Sequence, residues 1–291
     1  MGRRSRAFAA IAAPLLLATV TFFILLGSAH APAYASVKLT PSLTVLGTPA
    51  LYVPSTPGTP PTSAKVMQVP ILVYHLVDST SAPTGTDAAE LTVTTSSFKE
   101  QMDYLASHEY HTVTVGEIYK AMMGAGTLPS KPVAITFDDG YLNQYTTAFP
   151  ILRSHSFVAT FFVITGAVGE PGYLSWEELK TMHQAGMAIE SHTVHHRNLT
   201  KLDDTQLAAE LAGSRQDLRA HLGEDVRILA YPGGAYDQEV IAVAQAAGYV
   251  VGLTDQGGDT LTSDSLYTWS RIGIGPGETL TDFAALFGEA K

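Results

Sequence analysis

The strongest constraint on the fold is a repeated alternation. Short, wholly apolar runs are separated by stretches with helical spacing, and polar residues gather where the apolar runs stop. Val69–Tyr74, Val133–Phe137, Val158–Ile164, Met187–Glu190, Ile228–Tyr231, Tyr249–Leu253 and Trp269–Ile274 read as strands. Apolar runs with no in/out alternation are the mark of strands buried on both faces, as in parallel sheets. Between them the spacing predicts helices. One carries Phe98, Met102 and Leu105, capped from Thr95 to Ser97, and another covers Val115–Met123. Others cover Tyr145–Arg153, Ser175 to Met182, Asp204–Leu222, Glu239–Ala247 and Leu280–Phe287, and a short strand is expected at Thr112–Val115. Ser175 with Glu178 three residues on forms a capping box. Strand–helix alternation throughout implies an α/β chain of parallel units. The expected fold is a distorted (β/α) barrel of about seven to eight units, with an open doubly wound sheet as the alternative. Either architecture places its reactive groups at the C-terminal ends of the strands. His75, Asp138-Asp139, His192 to His196, Tyr231-Pro232 and Arg271 all fall at or near such ends.

This alternation occupies residues 66–291, long enough for one sizeable core. What precedes it is of another kind. Arg3, Arg4 and Arg6 lead an uncharged run from Ala7 to Ala29, and small-x-small sites follow at Ala29-His30-Ala31 and Ala33-Tyr34-Ala35. Residues 1–35 therefore read as an export signal. The run is also close to the ~20 residues that span a bilayer, so a retained membrane anchor is the other reading. Residues 36–65 contain six prolines and six threonines, with Lys38 and Lys65 the only charges, and read as an extended linker. The chain is thus expected to be exported, either secreted or held on the outer face of the membrane, and monomeric.

Composition narrows the chemistry. With 17 Lys+Arg against 27 Asp+Glu the formal charge is −10, which gives no basic face for nucleic acid. The chain has no cysteine, so disulfides, thiolate metal sites and a cysteine nucleophile are excluded. Any metal must be held by His, Asp or Glu. Thr136-Phe137-Asp138-Asp139-Gly140 sets two carboxylates side by side behind a buried strand. Adjacent acids repel unless a cation neutralises them. Ser191-His192-Thr193-Val194-His195-His196 offers three imidazoles. Spacing leaves open whether His192/His195 or His192/His196 converge. Two His and one carboxylate with open positions make a catalytic type of metal site.

At the required distance from one another, Thr136-Phe137-Asp138-Asp139-Gly140 and His192-Thr193-x-x-His196 resemble the first two motifs of the polysaccharide deacetylases, the NodB-homology, carbohydrate esterase family 4 group. The resemblance runs from about Val69 to Phe287 and implies a NodB-like barrel. It implies Asp138 as catalytic base and Asp139, His192 and His196 as ligands of a divalent metal. Zn2+ is the default, with Co2+, Ni2+ or Fe2+ also suited to such ligands. His195 is then a neighbour, not a ligand. The family's third motif carries an arginine that is absent from Ala230-Tyr231-Pro232-Gly233-Gly234. Arg227 or Arg271 is left to brace the base, Arg271 being favoured. Tyr231, Pro232 and Gly233 are expected at the substrate, with a backbone N–H near Gly233 facing the oxyanion, and Trp176 is expected to line the groove. The family's late Leu-x-His is missing. The opening Val69-Pro70-Ile71-Leu72-Val73-Tyr74-His75 instead resembles the branch with poly-N-acetylglucosamine deacetylases, which implies His75 as general acid.

The implied activity is metal-dependent hydrolysis of N-acetyl groups on an extracellular or cell-wall polysaccharide. An O-acetyl esterase acting on a glycan such as xylan uses the same tetrahedral chemistry and is the first alternative. A non-catalytic glycan-binding protein is the second. A two-His-one-carboxylate iron oxygenase is the third.

Overall fold

The computed structural model describes residues 64–78 and 88–288. Residues 1–35, expected to be an export signal or anchor, and nearly all of the expected linker lie outside the described residues. Lys65, expected as the last residue of the linker, is joined to the described domain by hydrogen bonds. It exchanges backbone and side-chain hydrogen bonds with Ser263, and its Nζ donates to the Ala121 carbonyl at 2.6 Å.

Seven parallel strands form the frame: β1 (Ile71–Tyr74), β2 (Pro132–Phe137), β3 (Thr160–Val163), β4 (Ala188–Ser191), β5 (Ile228–Ala230), β6 (Val251–Leu253) and β7 (Ile272–Gly273). Their order across the sheet is β6-β5-β4-β3-β2-β1-β7, with His111–Thr112 added beside the start of β2. The register sets Tyr74 beside Phe137, Phe137 beside Phe161 and Val163 beside Ser191. The sheet curls until its two ends meet. Trp269, just ahead of β7, bridges Leu253 of β6, donating to the Gly252 carbonyl at 3.0 Å and accepting from Thr254 N–H at 2.9 Å. The run expected as one strand over Trp269–Ile274 thus changes partner midway, leaving β6 at Trp269 and joining β1 at Ile272. The distorted α/β barrel expected from the sequence is the fold observed.

Besides a single turn at Ala88–Leu91, the α-helices are α1 (Thr95–Ser107), α2 (Val115–Met122), α3 (Phe149–Ser154), α4 (Trp176–Gln184), α5 (Asp204–Leu222), α6 (Gln238–Ala246) and α7 (Leu280–Ala285). The Ser175–Glu178 capping box opens α4 as expected, and Gly223 in the left-handed conformation ends α5. The cap of α1 is Thr94, one residue before the expected stretch. The two faces of the strands pack separately. Leu72, Tyr74, Ile135, Phe137 and Phe161 meet the helical layer. Ile71, Ala134, Phe162, Ile228 and Leu253 share a second cluster with Ile118 and Met122 of α2. That second face is the one that delivers the site. Ala134 and Thr136 alternate toward it, so the next residue in phase is Asp138.

The helix expected over Tyr145–Arg153 is interrupted. Gln144–Ala148 winds as a π-turn, with Phe149 N–H donating to the Gln144 carbonyl, before α3 begins. Pro150 is the cause, since its ring cannot sit against the carbonyl four residues back in a regular helix. The wider turn leaves the Gln144 side chain buried, with Nε2 donating to the carbonyls of His75 and Asp138, so the ends of β1 and β2 are tied together. The antiparallel ribbon of Val66–Gln68 with Thr260–Thr262 has no counterpart in the sequence reading. Its three-residue strands are too short to show a period.

Candidate metal and catalytic centre

Asp138 and Asp139 leave the end of β2 in opposite roles. Asp138 is 2% exposed and accepts two parallel hydrogen bonds from Arg271, Nη1 to Oδ1 and Nη2 to Oδ2, both at 2.7 Å. Arg271 is wholly buried. Its Nη2 also donates to Asp255 Oδ1 at 2.7 Å, its Nε to the Thr254 carbonyl, and its guanidinium lies 5.6 Å from the Phe162 ring centre. Burial alone would raise the pKa of Asp138. The Arg271 charge and hydrogen bonds, with His192 and His75 adding to them, overcome that and hold the carboxyl well below the usual carboxylate range. Asp138 is therefore a fixed anion. Of the two arginines left open by the sequence, Arg271 stands at Asp138, while Arg227 lies 3.8 Å from Asp225.

Asp139 points elsewhere because its backbone is left-handed (φ 73°), as is Gly140 after it (φ 78°). A Cβ at Gly140 would also stand 3.1 Å from Val163 Cγ1, so the tight turn needs glycine. Asp139 Oδ1 is buried without a hydrogen-bond partner. It faces His192 Nε2 at 3.5 Å and His196 Nε2 at 3.6 Å. These distances are long for hydrogen bonds. They match the ~3.4 Å that separates two ligand atoms around a tetrahedral cation with bonds of ~2.1 Å. His192 Nδ1 stands 2.8 Å from the Ala230 carbonyl, which makes it the protonated nitrogen and leaves a lone pair on Nε2. Burial first, and then the neighbouring His192, lower the pKa of His196, which favours its neutral, ligating form. An orphaned carboxylate oxygen facing two imidazole nitrogens is a donor set that fits a divalent cation. The three ligand atoms lie within 4.8 Å of one another.

The loop that carries His196 is held from outside. Thr193 (φ 67°) and His196 (φ 53°) are left-handed, a conformation that costs ~1–3 kcal/mol each and persists only when its surroundings enforce it. Glu210 of α5 supplies much of that enforcement. It is 3% exposed, and its Oε2 accepts the N–H groups of Val194 and His195 at 3.0 and 2.8 Å, while Oε1 stands 2.9 Å from His195 Nδ1. His195 is thus an anchor of the loop and is turned away from the cluster. The sequence reading missed Glu210, although a signal was there: it lies on the inward face of α5 with Leu207, Leu211 and Leu218. Glu210→Ala removes this clamp. It is expected to weaken Zn2+ binding by about 10–100-fold, read by competition with a chromogenic chelator.

The remaining candidates divide. His75 is half-buried at the end of β1, and its charge bears on both Asp138 and His196. Gly233 (φ 59°) lies in the Pro232–Gly234 turn, three residues after the carbonyl that orients His192. Tyr231, expected at the substrate, is fully buried and its hydroxyl donates to the Tyr267 carbonyl at 3.0 Å. It packs across Gly252, where a Cβ would come within 2.7 Å of Cε2 and Cζ of the ring. Burial pushes the Tyr231 hydroxyl above its usual pKa, as expected of packing. Gly252→Ala is accordingly expected to destabilise the domain by about 1–3 kcal/mol, visible in the denaturant midpoint. Trp176, expected to line the groove, instead stacks on His221 of α5 at 3.8 Å and 4°. An aromatic ring in the first turn of a helix found a partner on the next helix. Asp255, the second carboxylate on Arg271, was not anticipated.

A cleft of about 570 Å3 opens beside the cluster, with Asp139, Tyr141, Glu170, Tyr173, His195 and His196 among its walls.

Known proteins resemble this chain in sequence and in fold. Residues 125–252 match the family model for polysaccharide deacetylase. YxkH of Bacillus subtilis, which bears the polysaccharide deacetylase name, is 32% identical over 228 residues, 78% of either chain. The poly-beta-1,6-N-acetyl-D-glucosamine N-deacetylase of Staphylococcus aureus is 32% identical over 178 residues, 56% of this chain and 60% of that protein. Among solved structures, the Streptococcus pyogenes deacetylase PplD in complex with acetate superposes with a TM-score of 0.69 at 28% identity, over 78% of this chain and all of that one. IcaB from Ammonifex degensii gives 0.63 at 27% identity, over 77% and 97%. A relative matched over most of its length, a family model whose span includes the Asp-Asp and His motifs, and a shared fold make this chain a member of the polysaccharide deacetylase family, and so a hydrolase of acetylated polysaccharide.

Proposed function

We propose that this protein removes N-acetyl groups from an N-acetylglucosamine polymer outside the cell membrane, with a divalent cation held by Asp139, His192 and His196. The observation that carries the reading is the unpartnered Asp139 Oδ1 facing two imidazole nitrogens next to the Arg271-braced Asp138. A cation there, Zn2+ by the nitrogen and oxygen ligand set, would act as a Lewis acid toward the acetyl oxygen and lower the pKa of the attacking water.

The chain's own residues do the rest. Asp138, kept ionised by Arg271, accepts the proton of the attacking water. Its low basicity would suit a water that a cation held there makes more acidic, and would be poor against bulk water. His75, on the neighbouring strand end, gives its proton to the departing nitrogen, so acetate and a free amine leave. Backbone N–H near Gly233 faces the oxygen of the tetrahedral intermediate. Binding alone would need no buried anion beside a metal-type cluster, which is why catalysis is preferred to glycan recognition. The name of the staphylococcal relative supports the polymer class, and the basic, apolar and small-residue order of residues 1–35 supports export. No helix among the described residues is long and apolar enough to cross a membrane.

The test is acetate release by the whole protein, supplied with Zn2+, from N-acetylglucosamine oligomers and from acetylated xylan. Release from the first and not the second is expected. The reverse preference would make it an ester hydrolase, and no release from either would return the binding reading.

A further inference from the structure

A second cavity, of about 330 Å3, lies between the first turns of α1 and the segment from β7 into α7, at the end of the barrel where Asp138 stands but on the helical side of the sheet, where Gln101 meets Tyr74. It is in the size range of small-ligand sites. Glu100, Gln101 and Ser97 line it from α1, Glu278 and Thr279 from the loop, and Leu280 from the start of α7. Three observations define what it can hold. Gln101 is 1% exposed, its Oε1 accepts the Tyr74 hydroxyl at 2.9 Å, and its Nε2 has no partner. A buried amide donor with nothing to donate to costs about 1–3 kcal/mol until something accepts from it. Glu100 and Glu278 bring two carboxylates, neither in a salt bridge with any described residue, and no lysine or arginine is among the lining residues. Leu280 is 42% exposed, one of two large hydrophobic side chains so exposed among the described residues.

These demands converge on one class of ligand. Two carboxylates call for a cation. The end of α1 contributes only about half a positive charge, and Thr94 already caps it by accepting from Ser97 N–H, so the carboxylates dominate. An unpaired amide N–H calls for an oxygen acceptor in the same ligand and would repel a bare metal ion. The exposed Leu280 suits the apolar face of a ring. A hexosamine with a free amine supplies ammonium, hydroxyls and ring face together. It is also what the reaction proposed above would leave on the polymer.

We propose that this cavity is a subsite for a deacetylated, cationic glucosamine unit, with Glu100 and Glu278 on its ammonium and hydroxyls and Gln101 Nε2 donating to one of its oxygens. The identity of the ligand rests on the proposed function. The cavity's preference for a cationic sugar does not. An enzyme that grips its own product at the same end of the barrel, next to the strand that carries His75, would favour deacetylation near units already deacetylated.

The experiment is calorimetric titration of the whole protein with tetraglucosamine, which has no acetyl group to turn over, in parallel with neutral cellotetraose and with Ca2+. The expected result is binding of tetraglucosamine that weakens with added salt, with cellotetraose much weaker. Glu100→Gln, at an exposed position with little structural risk, and Glu278→Gln are each expected to raise the Kd about tenfold, the worth of one charge-assisted contact. Unchanged affinity in both variants, no binding of tetraglucosamine, equal binding of cellotetraose, or displacement of the sugar by millimolar Ca2+ would each overturn the proposal. Acetate release by the unaltered protein is measured separately. If it fails while Glu100-dependent sugar binding persists, the catalytic reading falls and the subsite stands. If it succeeds while the variants bind normally, only the subsite falls.

Discussion

Asp138→Asn is expected to lower acetate release by about 10²–10⁴-fold, the usual weight of a positioned general base, while the protein still binds its cation. The substitution is isosteric, so the site keeps its shape. An amide cannot accept the water proton, and its NH2 turns a donor toward one Arg271 N–H. Arg271 keeps Asp255 at 2.7 Å, a carboxylate 39% exposed, so its charge is not orphaned. The loss of stability should therefore be modest, about 1–3 kcal/mol. Near-normal Zn2+ content with collapsed turnover separates a lost base from a lost metal site. Retained turnover would remove Asp138 from the proposed mechanism.

Arg271→Met has the opposite profile and the largest expected effect on stability. It leaves Asp138 buried and ionised with no guanidinium, and breaking such a pair costs about 3–5 kcal/mol. The pH dependence carries the diagnosis. In the unaltered protein the Asp138 pKa is depressed on folding, so this pair's contribution is full above the ordinary aspartate value, ~3.9, and is lost as pH falls through the lower folded value. Without Arg271, burial dominates and the folded carboxyl titrates above ~3.9. The variant should then lose stability, relative to the unaltered protein, as pH rises from about 4 toward neutrality. Glu190, which burial raises to about 8, gives its own loss over a similar range, but it is common to both proteins and cancels in the difference. Adding Asp138→Asn to Arg271→Met removes the unpaired charge and should recover much of the loss. Denaturant midpoints across pH for the four proteins would show it, and additive effects would mean that the two residues are not coupled.

The fold was legible because parallel strands buried on both faces are written as unbroken apolar runs, and because Ser175 with Glu178 marks a helix start without ambiguity. Asp138-Asp139 and the His192 to His196 stretch were legible as candidates because they stand at strand ends in compact clusters, whereas the choice of His196 over His195 was implied only by the family resemblance. The rest lay in contacts that sequence order hides. Arg271 is 133 positions from the carboxylate it holds, and only the closing of the barrel by Trp269 and β7 brings them together. Glu210 looked like one more charge on an amphipathic helix, though it grips the loop of His196. Tyr231 and Trp176 show the converse. Both are near motif-bearing segments, and both have their aromatic faces taken by packing, against Gly252 and His221. The π-turn at Gln144–Ala148 follows from Pro150, but its consequence, Gln144 tying the ends of β1 and β2, needs the neighbouring strand to be seen.

In the proposed mechanism Asp139, His192 and His196 hold a cation that hydrolysis requires. The direct measurement is metal content by elemental analysis together with acetate release from N-acetylglucosamine oligomers, for the unaltered protein, for the same protein after chelation and Zn2+ return, and for Asp139→Ala. The expected result is stoichiometric metal and turnover that disappear together on chelation and return together with Zn2+, with neither in Asp139→Ala. Turnover that survives with no metal bound, or that persists in Asp139→Ala, would contradict it.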